Sequence, residues 1–189
     1  MTARWVVDEV QPARDLTVTW QPISLFFKNE PEPGSDYHDP VWRSHQHLRV
    51  LESVRAEHGN DGVASLYWEL GRRNHHDKDR TYEISDALTA VGFDTAHAAA
   101  MDDESFDAEI RSRMDAGLEL TGQDVGTPII AFVDTDGTKV GLFGPVITRV
   151  PPTELSLQLW DGLMAVATVP GFWELKRTRT ERPDFGPRP

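Results

Sequence analysis

The 189-residue chain contains no cysteine, so within these residues there is no disulfide, no thiolate nucleophile and no cysteine-based zinc set. Basic residues are few. Lys and Arg number 19 against 31 Asp and Glu, for a formal charge of -12, and such a surface repels phosphate backbones, which argues against nucleic acid as a partner. No apolar run approaches the roughly 20 residues that span a bilayer, and no basic region followed by an apolar stretch opens the chain as in a signal peptide. No membrane association is expected, and the expected location is cytoplasmic. Several motifs are also missing: the Gly-x-Ser-x-Gly elbow of hydrolases, the dinucleotide-binding glycine fingerprint between Gly117 and Gly126, and a His-Glu-x-x-His metal pair. Neither internal repeats nor low-complexity tracts occur.

What is present suits one or two ordinary globular domains, with 39% hydrophobic and 26% charged residues. The most informative stretch is GQDVGTPIIAFVDTDGTKVGLFGPV, from Gly122 to Val146. Ile129, Ile130, Phe132 and Val133 are strand formers, Asp136-Gly137 is hairpin-turn chemistry, and Val140, Leu142 and Phe143 form the return strand, stopped by Gly144-Pro145. The hairpin is entered through Thr127-Pro128.

Elsewhere the apolar spacing predicts helices. Trp5, Val6 and Val10 mark an opening helix with no capping residue ahead of it. Leu16, Val18 and Trp20 alternate with polar residues and predict a strand. Asn29 to Asp39, with Pro31, Pro33 and Gly34, reads as a loop. Trp42, Leu48, Leu51 and Val54 predict a helix to about His58, ended by Gly59. Val63, Leu66 and Leu70 predict another, and Ile84, Ala87, Leu88 and Val91 a third, stopped by Gly92. Asp94 or Thr95 can cap a short Ala-rich helix to Met101. Phe106, Ile110, Met114 and Leu118 form the stripe of a longer helix, and a last one runs from about Thr153 to Ala167 after Pro151-Pro152.

Four stretches together resemble a known family: the opening TARWVVDEV; RDLTVTWQPISL with Asn29-Glu30; DVGTPII with FGPV; and the tail LWDGLMAVATVPGFWELKRTRTERPDF. On them the chain resembles the DsbA-like thioredoxin-fold oxidoreductases, specifically the mycothiol-dependent nitroreductase family. The resemblance implies an α/β class and a thioredoxin-like fold with an inserted helical domain. Residues 1-37 and 123-189 would form the thioredoxin-like domain and 38-122 a helical lid. It also implies a cis proline at Thr127-Pro128, whose neighbouring backbone would receive an extended thiol. The family pattern places a strand and a Cys-Pro-Trp-x motif ahead of the opening helix. Both are missing here, so the expectation is a truncated N-terminus, with the catalytic cysteine upstream of Met1, the first strand lost and its neighbours short of ladder partners.

The function so implied is reduction of disulfide or nitro-type electrophiles with mycothiol, or a similar low-molecular-weight thiol, as cosubstrate and without a metal. Partners would be that small-molecule thiol and the electrophile; a homodimer is one assembly this reading allows. Two alternatives stay open: a cysteine-free thiol-binding protein of the same fold, and a thiol-dependent isomerase. Thr127, Pro128, Asn29, Tyr37 and His75 match, by the resemblance, positions that line the thiol or substrate groove. Each of the last three also has a plain structural reading: Asn29 as a turn organiser beside Pro31, Tyr37 as a half-buried aromatic, and His75 as a solvated neighbour of Arg72, Arg73, His76 and Asp77. His45 and His47 project onto different helix faces, and His75 and His76 diverge, which argues against metal ligation by either pair.

Overall fold

The apolar side of the opening segment becomes helical: α1 (Thr2–Arg4) passes through a π-helical stretch, Trp5–Val10, into α2 (Gln11–Arg14), which ends where Asp15 turns left-handed at φ 49°. The computed structural model describes residues 1–79 and 81–188. After an extended stretch come α3 (Leu25–Asn29), α4 (His38–Arg72), a π-helical turn (Arg73–Asp77) and α5 (Ile84–Ala90). Short 3-10 segments at Thr95–Asp102 and Glu104–Phe106 lead into α6 (Asp107–Thr121). The strands β1 (Ile129–Val133) and β2 (Lys139–Phe143) follow, then α7 (Thr153–Ala167). The chain is therefore helix-rich, with one two-stranded sheet among the described residues.

Contacts divide it into two units, Met1–Val18 with Gly117–Gly186, and Thr19–Ala116 with the last residues from Pro187. In the first unit the strands pair antiparallel, Ile129 facing Phe143 and Val133 facing Lys139. Asp134 closes the turn: its carboxylate accepts the Asp136 and Thr138 amides at 2.9 and 2.8 Å, and Gly137 supplies φ 82°, which its missing Cβ permits. Gly141 has a packing reason instead, since a Cβ there would lie 2.5 Å from that of Leu120. Trp5, Val10 and Trp160 form the buried centre, with Leu16, Ile130, Ile147 and Leu163 around them. The indole of Trp5 donates to the Ser156 carbonyl at 3.2 Å, so this fully buried ring has its polar atom satisfied.

The second unit is helical. Asp39 and Pro40 occupy the first turn of α4, where a carboxylate suits the helix dipole and proline's absent N–H costs nothing. At Gly59 the backbone leaves helical geometry (φ 65°, ψ -156°) and the helix kinks. Val50, Leu51 and Val54 before the kink and Val63, Leu66 and Leu70 after it bury against Tyr82, Ile84, Ala87, Leu88 and Ala100. Full burial of each such Val, Leu or Ile side chain contributes about 1.5–3 kcal/mol. The part of α6 within this unit buries Ile110 and Met114.

The strand expected at Leu16 to Trp20 does not form among the described residues. Alternation supplies two faces but no ladder partner, and here side chains take the backbone groups instead. The Trp20 amide donates to Asn60 Oδ1 at 2.8 Å, and its carbonyl accepts from Arg55 at 3.0 Å, so Trp20 is held by α4 rather than by a sheet. Its indole packs on Tyr67 and Trp68 at centroid distances of 4.8 and 5.7 Å. Among the described residues, no helix is long and apolar enough to cross a membrane.

Candidate functional site

In the sheet-containing unit, Thr127-Pro128 sits in the loop that enters β1. The Thr127–Pro128 peptide is cis, and so is Gly144–Pro145, which the sequence reading took only as a strand stop. The two loops are tied together where the Gly144 amide donates to the Pro128 carbonyl at 2.8 Å. The start of α1 joins them, since the Thr2 hydroxyl donates to the Pro145 carbonyl at 2.7 Å. Thr127 itself is exposed, and among the described residues no hydrogen bond engages its backbone. Thr127 thus presents its N–H and C=O at the head of β1.

The helical unit brings together Asn29 and Tyr37. Asn29 closes α3, Glu30 turns left-handed at φ 42°, and the loop returns so that the Asn29 amide donates to the Tyr37 hydroxyl at 2.8 Å. Beside them an open cavity of about 290 Å³ is lined by Phe26, Phe27, Glu30, Pro31, Pro33, His38 and Arg111. The Arg111 guanidinium lies 3.6 Å from the centre of the Phe27 ring, a cation–π contact that holds it over an apolar floor. Such a wall suits a ligand with an aromatic or apolar body and an anionic oxygen. Sequence reasoning missed Phe26, Phe27 and Arg111, because α6 supplies Arg111 from 84 positions beyond Phe27 and no local spacing announces the contact. His75 is exposed on the π-helical turn Arg73–Asp77.

Under α3 runs a buried polar chain that sequence reading also missed. Ser24 caps α3 by accepting the Phe27 amide at 3.1 Å, and its hydroxyl meets His45 Nδ1 at 3.1 Å. His45 Nε2 lies 3.1 Å from Asp107, which receives a bidentate pair from Arg49 at 2.7 and 2.8 Å. Burial lowers the His45 pKa, against the opposing pull of Asp107, so the ring is neutral at neutral pH. Burial alone would raise Asp107, but the Arg49 hydrogen bonds and charge, with His45, hold its carboxyl below the ordinary range. The order Ser, His, Asp invites comparison with a hydrolase. Ser24, however, is 1% exposed and already serves as a cap, so the chain is a structural brace beneath the cavity.

His47, on the same helix as His45, turns elsewhere, toward Tyr82 at a ring distance of 6.0 Å. Burial, with the Arg43 charge, lowers its pKa to about 4.

Residues 1–177 match the model of the family described as Rv2466c-like, mycothiol-dependent nitroreductase Rv2466c, and the chain belongs to that family.

Proposed function

From that membership we propose that the chain acts in the mycothiol-dependent reduction of nitro-type or disulfide electrophiles, on a thioredoxin-like, DsbA-related scaffold in the cytoplasm. The family match over residues 1–177 is the observation that supports this reading most. In it, the amide portion of mycothiol pairs with the backbone of Thr127 beside Pro128, while Asn29, Tyr37 and His75 are polar contacts of thiol or substrate. The redox balance is simple. Two thiols give up two electrons and two protons, one sulfur–sulfur bond forms, one nitro oxygen leaves as water, and the nitro group becomes nitroso. These 189 residues hold no cysteine, so the part assigned to them is to bind and orient the thiol and its electrophile, the catalytic cysteine being expected ahead of Met1.

The test is to supply the chain with mycothiol and a nitroaromatic compound and follow loss of the nitro chromophore together with mycothiol disulfide. Mycothiol-dependent turnover is expected, and Tyr37→Phe, which removes the hydroxyl facing Asn29, should raise KM several-fold with kcat little changed, since one neutral hydrogen bond contributes about 1 kcal/mol. No saturable mycothiol binding would overturn the proposal. The missing cysteine favours a second reading, a thiol-binding protein or a thiol-dependent isomerase. Saturable binding without net electron transfer would select the binding protein, and thiol-dependent isomerisation the isomerase.

A further inference from the structure

The kink in α4 creates a second polar cluster in the helical unit. Glu57 and His58 end the first half of the helix, immediately before Gly59. The second half turns back closely enough that a Cβ on Gly62 would lie 2.4 Å from that of His58, so glycine there leaves the room His58 occupies. Phe93 stacks on the His58 ring, with centroids 4.3 Å apart and planes 11° from parallel. His97 arrives from the 3-10 segment Thr95–Asp102, whose cap Asp94 accepts the Ala96 amide at 2.8 Å. Its ring stands edge-on to His58 at 5.7 Å. Ser53, one turn before Glu57, meets His97 Nδ1 at 2.8 Å, which fixes the ring and turns Nε2 toward Glu57.

Three donor atoms thus converge. His97 Nε2 lies 3.3 Å from Glu57 Oε2, and His58 Nε2 lies 3.7 Å from Glu57 Oε1, with all three ligand atoms within 4.8 Å of one another. Both Nε2 atoms are buried, yet neither makes a hydrogen bond, and the His97 side chain is only 9% exposed. Two buried imidazole nitrogens that face one carboxylate without a formed hydrogen bond are unusual, because a carboxylate at 3.3 and 3.7 Å offsets their desolvation only in part.

We propose that Glu57, His58 and His97 bind a divalent transition-metal ion of the zinc class. At metal–ligand bonds of about 2.0–2.1 Å, neighbouring ligands of a tetrahedral ion stand roughly 3.3 Å apart, close to the 3.3 and 3.7 Å that separate the two imidazole nitrogens from the Glu57 oxygens. Two imidazoles and one carboxylate favour zinc, cobalt or nickel over magnesium or calcium, which take oxygen ligands. With Nε2 on the ion, His97 Nδ1–H donates to the Ser53 hydroxyl, the outer hydrogen bond that metal-bound histidines habitually make. Glu57 is 64% exposed, so the fourth position opens to water and the ion exchanges with solution. The ion fastens the kink of α4 to the Thr95–Asp102 segment.

The full chain, freed of any affinity tag and stripped with chelator, is to be titrated with zinc chloride by calorimetry and with cobalt chloride by visible absorption. One ion per chain and a four-coordinate cobalt spectrum are expected. Glu57→Gln and His58→Gln should each weaken binding by on the order of tenfold or more, and His76→Gln, a control at a histidine outside the cluster, should change nothing. Because Glu57 is exposed, its variant keeps the fold, which circular dichroism verifies. Absence of stoichiometric binding, or binding unchanged in both Glu57→Gln and His58→Gln, would overturn the proposal.

Discussion

His45 and His97 are both buried in the helical unit, yet their rings are held in opposite ways. His45 has a partner at each nitrogen, Ser24 and Asp107, and Asp107 is itself neutralised by Arg49. His97 has Ser53 on one side and an unbonded nitrogen on the other, facing an exposed carboxylate. The first arrangement is complete without any further component, and the second is incomplete. A closed polar network rigidifies a core, whereas an open one is where a ligand gains the most by arriving.

Four measurements break or sharpen that contrast. The largest effect is expected for Asp107→Ala, which takes from the Arg49 guanidinium, 3% exposed, its bidentate partner. Breaking one side of a buried pair costs about 3–5 kcal/mol, read as a lower urea midpoint; a loss below 1 kcal/mol would mean that the network is slack.

Next is the pH dependence from His47, buried with one ring nitrogen unpartnered. Its folded pKa of about 4 lies below the ordinary 6.5, so the unfolded chain binds the proton first. Stability is whole above pH 6.5 and is lost as pH falls toward 4, by up to roughly 3 kcal/mol. His47→Phe should flatten that part of the stability profile, and an unchanged slope would assign the acid sensitivity to other groups. Third, Ser24→Ala removes the cap of α3 and one of His45's partners, for about 1–2 kcal/mol, seen as a small fall in Tm. The smallest effect belongs to Glu57→Gln without metal, within about 0.5 kcal/mol of the parent because the side chain is exposed. Added zinc should separate the two proteins by raising the Tm of the parent more than that of the variant.

Helices were legible wherever apolar residues recur at three or four positions. Leu51 and Val54, then Val63, Leu66 and Leu70, bury as their spacing predicts, with Leu48 partly buried against them, and Gly59 marks the break between the two runs. The hairpin was legible from Asp136-Gly137 between β-branched runs, and the last helix from Pro151-Pro152 ahead of Thr153. Leu16 to Trp20 misled, because a period of two describes the faces of a strand and says nothing of who pairs with it. The polar clusters were illegible for a related reason. Reading compared histidines that are neighbours in sequence, His45 with His47 and His75 with His76, while the pair that converges is His58 with His97, set 39 positions apart and joined only by packing. Asn29 and Tyr37 met because the loop between them is short. His75 stands on the exposed turn after α4, and Thr127 with Pro128 heads β1.

The bend in α4 has one further consequence. A backbone at φ 65° and ψ -156° lies in territory open essentially to glycine alone, so in a saturation library position 59 should tolerate a single residue. The neighbouring Asn60 holds the amide of Trp20. Adding one methyl group at the bend would therefore loosen the non-helical stretch ahead of α3 together with the helix, and hydrogen exchange at Trp20 would report damage done at a residue 39 places away.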